Sequence, residues 1–338
     1  MNSQSPDVRR EQGLAWAETQ LGQPCRMAML AGDASFRRYF RIHAGSISHV
    51  LMDAPPQHED VGPFVSVLGW MHDAGLRTPI LIARDEAQGY LLLEDFGDLT
   101  WAEQLKRGRD SASKMLAAMM YDALRQLHLL QAAHPDTALP AFDVARMQRE
   151  CDLYLDWYLP RVAGVKPTSA EREAFHAALL PVLEAIAGLP RVPVHLDYHS
   201  RNLMLPQQDG HGGMPLGVID FQDAVAGPPT YDLASLLYDC YQDYPEELRR
   251  EFSNQFFEAL PDALRAAFAD TDAWHRMLRL TALQRHIKAI GIFGRLAYRD
   301  GKRQFLDEIP LTRKHLREEL QALEIDMAGL GLLLRESA

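Results

Sequence analysis

The apolar and polar positions divide the chain into two regimes. Residues 8–22 carry apolar side chains at helical spacing, with Leu14, Ala15 and Leu21 as the inward positions of a short helix. From about residue 26 to 100 the texture is strand-like. "FRRYFRI" (36–42) and "SHVLMDA" (48–54) read as strands, and Pro55 and Pro56 end the second. A helix is predicted over 60–74, where Phe64, Val67, Leu68 and Met71 fall at i, i+3, i+4 and i+7. "PILIARD" and "GYLLLEDF" flank a turn at Glu86–Gly89 and predict a hairpin. Beyond residue 100 the pattern is helical, with helices over 111–132, 141–158, 170–187, 230–240, 246–268, 272–298 and 311–324. An island at 192–223 interrupts them with two short apolar runs, and "PQQDGHGGMP" (206–215) reads as a surface loop. Strands run together and then helices run together, so the class is α+β with two lobes.

Composition narrows the setting. The chain has 338 residues, of which 47% are hydrophobic, enough for a sizeable core. A net charge of −11 argues against nucleic acid or an anionic membrane as a partner. The polar start "MNSQSPDVRREQ" is unlike a secretory signal, and no apolar run reaches the ~18 residues a membrane span needs. Cys25, Cys151 and Cys240 are widely spaced and odd in number, so they read as thiols of a reducing compartment. The expectation is a cytoplasmic protein with no obligate protein partner evident.

The candidate chemistry sits in "VHLDYHSRNLM" (194–204). His195, Asp197 and Asn202 form H-x-D-x-x-x-x-N, the spacing of a kinase catalytic loop in which the Asp meets the substrate hydroxyl and the Asn holds a metal. Asp220, in "LGVIDFQD" eighteen residues after Asn202, ends an apolar run that would return a carboxylate to the same metal. One amide oxygen and one carboxylate suit Mg²⁺, which takes hard oxygen ligands and keeps water and phosphate as the rest. Asp232, in "GPPTYDLASLL" (227–237), stands near a helix start, where a carboxylate complements the helix dipole and is able to brace the loop.

These residues make the chain resemble the aminoglycoside-phosphotransferase family of kinase-like enzymes, whose H-G-D-x-H-x-x-N and I-D-[WF] fill the same places. The resemblance implies a two-lobed protein-kinase-like fold, with a β-rich nucleotide-binding lobe over 1–96 and a mostly helical catalytic and substrate-binding lobe over 97–338. It makes Asp197 the catalytic base, Asn202 and Asp220 the metal ligands, and His195 with Asp232 structural supports of the loop. His199 also matches the pattern and is assigned to the substrate. The chain departs from the family at Leu196, where a glycine is usual. "AGDASFRRYFRI", "VLMDAPP", "LLLEDFGD" and "QRHIKAIGIFGRLAYRDGK" extend the resemblance to a narrower branch, the bacterial kinases that phosphorylate the anomeric hydroxyl of N-acetylmuramate and N-acetylglucosamine in peptidoglycan recycling. ATP and Mg²⁺ are the cofactors this implies.

One absence stands out. Residues 1–100 contain no lysine, and Met52-Asp53 stand where a kinase-like lobe offers a strand lysine to the phosphates. Arg37, Arg38 and Arg41 are the candidate replacements, with Arg37 and Arg41 on one strand face and Arg38 on the other. Asp33 and Ser35 lie in the turn "AGDAS" that would cover the phosphates. Glu94 is the nucleotide candidate in the connector, although Glu94 and Asp95 also read as exposed loop residues.

For the acceptor, residues 276–303 hold eight Lys or Arg and one acid, Asp300. Arg285 and Lys288, three apart, share a helix face there. Such a face suits an anionic sugar better than a polycationic aminoglycoside, while a choline-type substrate would want an aromatic cage. Arg149, Glu150 and Trp157 form a second candidate wall. Two other readings stay open: a kinase for an aminoglycoside or amino alcohol, and a nucleotide-binding pseudokinase, which the missing lysine favours. The short segment after Asp220 argues against a protein kinase, since it leaves no room for a long activation segment.

Overall fold

The computed structural model describes residues 7–32, 36–107, 112–205, 215–325 and 328–335. It divides into two compact units, residues 1–99 with 204–222 and residues 100–203 with 223–338.

In the first unit, helix α1 (Val8–Leu21) precedes three antiparallel strands, β1 (Arg26–Gly32), β2 (Arg38–Ala44) and β3 (Ile47–Asp53). Helix α2 (Gly62–Asp73) and the hairpin β4 (Leu81–Asp85) and β5 (Tyr90–Glu94) follow, giving a sheet of order β1-β2-β3-β5-β4. Alternation on β2 is clean: Phe40, Ile42 and Ala44 are buried, and Tyr39, Arg41 and His43 face the other way. Phe40, Ile42, Leu51, Tyr90 and Leu92 form a core with Ala17 of α1. Ala15, expected inward, is exposed, and Gly13 and Ala17 take the buried face instead. The small Gly13 lets the helix lie close, since a Cβ there would sit 3.0 Å from Leu51 Cδ2. The four apolar positions foreseen for α2 are all buried. Gly89 closes the hairpin at φ +71°, where a side chain would strike the Ala54 carbonyl.

The second unit opens with α3 (Trp101–Arg107), α4 (Ala112–Gln131) and α5 (Val144–Leu153). A π turn, Tyr154–Tyr158, then leads into α6 (Leu159–Arg161). Pro160 lacks an N–H and crowds the carbonyl one turn back, so the ladder widens just before it, with Leu159 N–H donating to the Tyr154 carbonyl. Helix α7 (Ser169–Ala187) starts on a capping box of Thr168 and Glu171. Strand β6 (Val192–Val194) enters the central loop. The chain returns to the first unit through the short ladder of β7 (Leu203–Met204) with β8 (Gly217–Val218), and β9 (Val225–Gly227) then pairs with β6. Helices α8 (Tyr231–Leu237), α9 (Glu246–Glu258), α10 (Asp262–Arg265), α11 (Thr271–Tyr298) and α12 (Ile309–Ala322) complete the unit. The expected helix over 246–268 is broken at Leu260-Pro261, because the residue before a proline is pushed out of the helical region.

The 28-residue α11 is the axis of this unit. It packs directly on the π turn because Gly291 and Gly294 expose bare backbone there. A Cβ on Gly291 would stand 2.4 Å from both Leu153 C and Tyr154 N, main-chain atoms with no cheap way to yield. Gly291→Ala is therefore expected to lower stability by about 2 kcal/mol or more, measured as a fall in Tm. An unchanged Tm would show that α11 slides on the turn without penalty.

Candidate active site

The central loop is held from below by two buried carboxylates. Asp232 is 1% exposed and accepts the backbone N–H groups of His195 at 2.7 Å and Leu196 at 3.1 Å. Burial pushes its carboxyl up to about 7, against the pull of those two donors. Asp239, fully buried, accepts the N–H of Ser200 and of Tyr241, each at 2.8 Å. Asp232 lies in the first turn of α8 and Asp239 two residues past its end, so the two acids bracket the helix. Asp239 falls outside the motifs read in the sequence, and its one local mark is an acid set in an otherwise apolar run, Leu236 to Tyr241.

Between these anchors the backbone is forced into an unusual shape. Leu196 has φ +78°, a left-handed conformation that a leucine rarely takes, and its side chain is 2% exposed. Loop anchoring by Asp232 and burial of the side chain hold it there. The family's usual glycine at this place is thereby explained: the loop needs positive φ, and the chain meets the need with strain of about 1–2 kcal/mol. Leu196→Gly is expected to be more stable than Leu196→Ala, the reverse of the ordinary ~1 kcal/mol penalty for glycine. Both lose the buried side chain, and only glycine relieves the backbone. Denaturant melts of the two variants decide it, and a more stable alanine variant would mean that the φ is unstrained.

Asp197 follows. Its N–H donates to His195 Nδ1 at 3.2 Å. Its carbonyl accepts the His199 N–H at 3.1 Å and the Asn202 side-chain Nδ2–H at 3.0 Å. Asn202 is thus oriented by its nitrogen, which turns the amide oxygen away from that carbonyl. The Asp197 side chain is half-buried. Burial alone would raise its pKa, but Lys288, His199, His195 and Arg285 outweigh it and hold the carboxyl below its usual range. Burial keeps His199 below the usual histidine range, and its Nδ1 has no hydrogen-bond partner.

A pocket opens beside Asp197 within the second unit. His199, Cys240 and Tyr241 form one wall, and Arg285, Lys288, Ala289, Ile292 and Phe293 of α11 form the other. Lys288 Nζ donates to the Tyr231 hydroxyl at 3.2 Å and lies 3.5 Å from Glu150 Oε1. Burial opposes its charge, but Tyr231, Glu150 and Asp197 hold it strongly protonated. The Arg201 guanidinium lies 3.7 Å from the Tyr241 ring centroid and pairs with Glu308, which fixes that wall. Of the acceptor candidates, His199, Arg285 and Lys288 line the pocket. Glu150 stands behind Lys288, bound also by Gln284 Nε2 at 3.2 Å. Arg149 is exposed on α5, outside the lining, and Trp157 is half-buried in the π turn. The eight basic residues of 276–303 part company: Arg279 pairs with Glu246 and Arg299 with Asp300, while Arg285 and Lys288 face the pocket.

In the first unit, Asp220 is exposed at φ +65°, two residues beyond β8, and its Oδ1 accepts from Gln222 Nε2 at 2.9 Å. Close packing holds the segment: Gly217 sits against the Phe96 ring, and the Phe221 ring lies 5.0 Å from that of Phe64. The arginines of the "FRRYFRI" stretch are all engaged by acids. Arg37, just before β2, is 3.2 Å from Glu59. Arg38 pairs with Asp7 and with Asp53, which also receives Arg9. Arg41, on the opposite face of β2, binds Asp95 at 2.6 Å and Asp98 at 2.9 Å. Glu94 holds Arg77 and accepts the Ile80 N–H. The expectation of exposed Glu94 and Asp95 fails, because each is half or more buried in an ion pair that no local pattern reveals. Asp33 and Ser35 lie outside the described residues.

Among the described residues, no group of three His, Cys, Asp or Glu could hold a metal by itself, and no helix is long and apolar enough to cross a membrane. The three cysteines are free, with Cys151 and Cys240 buried.

Residues 27–269 match the phosphotransferase enzyme family. The chain belongs to that family. It is 33% identical to the N-acetylmuramate/N-acetylglucosamine kinase of Pseudomonas putida, over 98% of this chain and 97% of that one. It is 36% identical to the enzyme of the same name from Pseudomonas aeruginosa, with the same coverage. Among solved structures, a thermostable mutant of aminoglycoside phosphotransferase APH(4)-Ia superposes with a TM-score of 0.58 at 15% identity, covering 91% of this chain and 98% of that one. The fold of this phosphotransferase is therefore the kinase-like one, with its β-rich first unit and helical second unit.

Proposed function

We propose that the enzyme transfers the γ-phosphoryl group of ATP to the anomeric hydroxyl of N-acetylmuramate and N-acetylglucosamine, sugars of peptidoglycan recycling. The observation that carries the reading is the lining of the pocket beside Asp197. Two cationic side chains, Arg285 and Lys288, share that lining with the Asp197 carboxylate and the His199 ring, next to the apolar Ala289, Ile292 and Phe293. Such a wall repels the amines of an aminoglycoside and accepts a neutral or anionic N-acylated sugar. The names carried by the near-full-length relatives point the same way.

In this mechanism the chain mainly positions reactants, since phosphoryl transfer passes through a loose transition state. Asp197 aligns the anomeric O–H and takes its proton as the new O–P bond forms and the bond to the ADP leaving group breaks. Magnesium, when bound, neutralises charge on the β- and γ-phosphates. Asn202 and Asp220 would hold it by hard oxygens, and the donor set fits: an amide whose nitrogen is already committed to the Asp197 carbonyl, and an exposed carboxylate. A set so poor in nitrogen and sulfur suits magnesium far better than zinc. Nucleotide contacts are assigned to Asp33, Ser35, Arg37, Arg38, Arg41 and Glu94 on the sequence pattern. The ion pairs of the arginines and of Glu94 would then have to open or be shared when phosphate arrives.

Phosphorus NMR tests the reading. Incubation with MgATP and either amino sugar is expected to yield an acid-labile sugar-1-phosphate signal, and kanamycin none. Transfer to kanamycin, or ATP binding without transfer to any acceptor, would overturn it, the latter in favour of a pseudokinase.

A further inference from the structure

Arg285 is placed where a buried cation is costly. Its side chain is only 6% exposed, yet Nη1 has no hydrogen-bond partner. No carboxylate lies within 4 Å of it among the described residues. Asp197 and Asp239 act on it only from farther away, and the Tyr231 ring centroid is 5.8 Å distant. A guanidinium taken out of water without an ion-pair partner is unfavourable unless a ligand completes it.

Its neighbours do not share this state. Lys288, one turn along α11, already has the Tyr231 hydroxyl and Glu150. Arg249, equally buried, is ringed by Asp243, Glu246 and Glu318. Arg313 has an unpartnered Nη2, but it donates to the Tyr154 hydroxyl and lies over the Tyr158 ring in the interior. Arg285 alone of these combines an unpartnered nitrogen with a place in the wall of the pocket that holds Asp197. Arg285 therefore offers half of an anion site, a guanidinium with an uncommitted Nη1 donor in the wall of the acceptor pocket.

We propose that Arg285 is the specificity residue of the acceptor pocket, receiving the carboxylate of the lactyl ether that distinguishes N-acetylmuramate from N-acetylglucosamine. This rests on the proposed function for the identity of the sugars. With the anomeric hydroxyl on Asp197, the ether at C3 projects across the ring, away from the reacting oxygen and towards the pocket wall. N-acetylglucosamine leaves the guanidinium unpaired and still occupies the same ring site. The rival source of an anion is the transferring phosphoryl group. An arginine that served it would act on both sugars alike.

The test compares kcat/KM for the two sugars in the unmodified enzyme, Arg285→Gln and Arg285→Lys. For Arg285→Gln the value is expected to fall on the order of 50-fold for N-acetylmuramate, the size of a charged hydrogen bond, and at least tenfold less for N-acetylglucosamine. Arg285→Lys keeps the charge and loses the fork, so an intermediate ratio is expected, and this variant reads the ratio should the glutamine variant not fold. An equal fall for both sugars overturns the proposal. Calorimetric titration with each sugar, without nucleotide, separates this from the functional reading. Selective weakening of N-acetylmuramate binding in the variants sustains Arg285's role even if no transfer occurs. No N-acetylmuramate binding by the unmodified protein overturns it.

Discussion

Asp197→Asn is expected to lower turnover of N-acetylglucosamine by about 10³-fold, within the range for a positioned general base, while nucleotide binding and Tm stay close to those of the unmodified enzyme. The substitution is nearly isosteric, and the bonds that build the loop use the backbone of this residue. Its N–H still meets His195 Nδ1, and its carbonyl still collects the His199 N–H and the Asn202 amide. What is lost is the charge. Lys288, with Arg285, keeps the carboxyl below its usual range and so ionised at neutral pH, so it accepts a hydroxyl proton and orients that hydroxyl at once. An amide does the second poorly and the first not at all. An anomeric hydroxyl is more acidic than an ordinary alcohol, so the loss is expected well short of the largest known for base removal. Steady-state kinetics and calorimetry with ATP decide the matter. Near-normal turnover would move the base to another residue.

Local signals were the legible ones. Asp197 and Asn202 sit five apart in one loop, and their relation is closed by a single hydrogen bond from Asn202 to the Asp197 carbonyl. Spacing alone carries that much. The four apolar positions of α2 were likewise readable, because a helix period is local. The arginines of β2 were not. Strand alternation correctly separates Arg38 from Arg41, but their partners, Asp53 and Asp95, come from strands and connectors 15 and 54 residues away. The same limit hid Asp239, whose importance appears only when α8 is packed under the loop. Ala15 and Ala17 show a smaller version: on a short helix, one residue of phase decides burial, and the sheet rather than the pattern sets the phase. The basic stretch 276–303 was visible as composition, yet only the packing of α11 decides that Arg285 and Lys288 meet the pocket while Arg279 and Arg299 meet acids elsewhere. Leu196 is the most instructive. A single departure from the family's glycine in sequence proves to be a strained residue in structure.

That strain makes Asp232 the second place where a one-atom change is expected to act strongly. In Asp232→Asn one of the two acceptor oxygens becomes an N–H donor facing a backbone N–H of His195 or Leu196. Leaving such a donor buried and unmet costs about 1–3 kcal/mol, and the left-handed turn at Leu196 loses half of its clamp. Asp197 then shifts with the loop, and a displacement of an ångström is enough for a turnover loss of about 10²-fold. The effect on stability carries a pH signature. Burial pushes the carboxyl up to about 7 in the folded protein, against the 3.8 usual for an aspartate. The folded state thus binds the extra proton between these values, and the stability this group contributes is full below about 3.8 and is lost as pH rises through about 7. The asparagine variant has no such titration. Its deficit relative to the unmodified enzyme is therefore expected to be larger at pH 5 than at pH 8, in denaturant unfolding at both. A deficit equal at the two pH values would mean that the two N–H donors outweigh burial, so that Asp232 braces the catalytic loop as a carboxylate throughout.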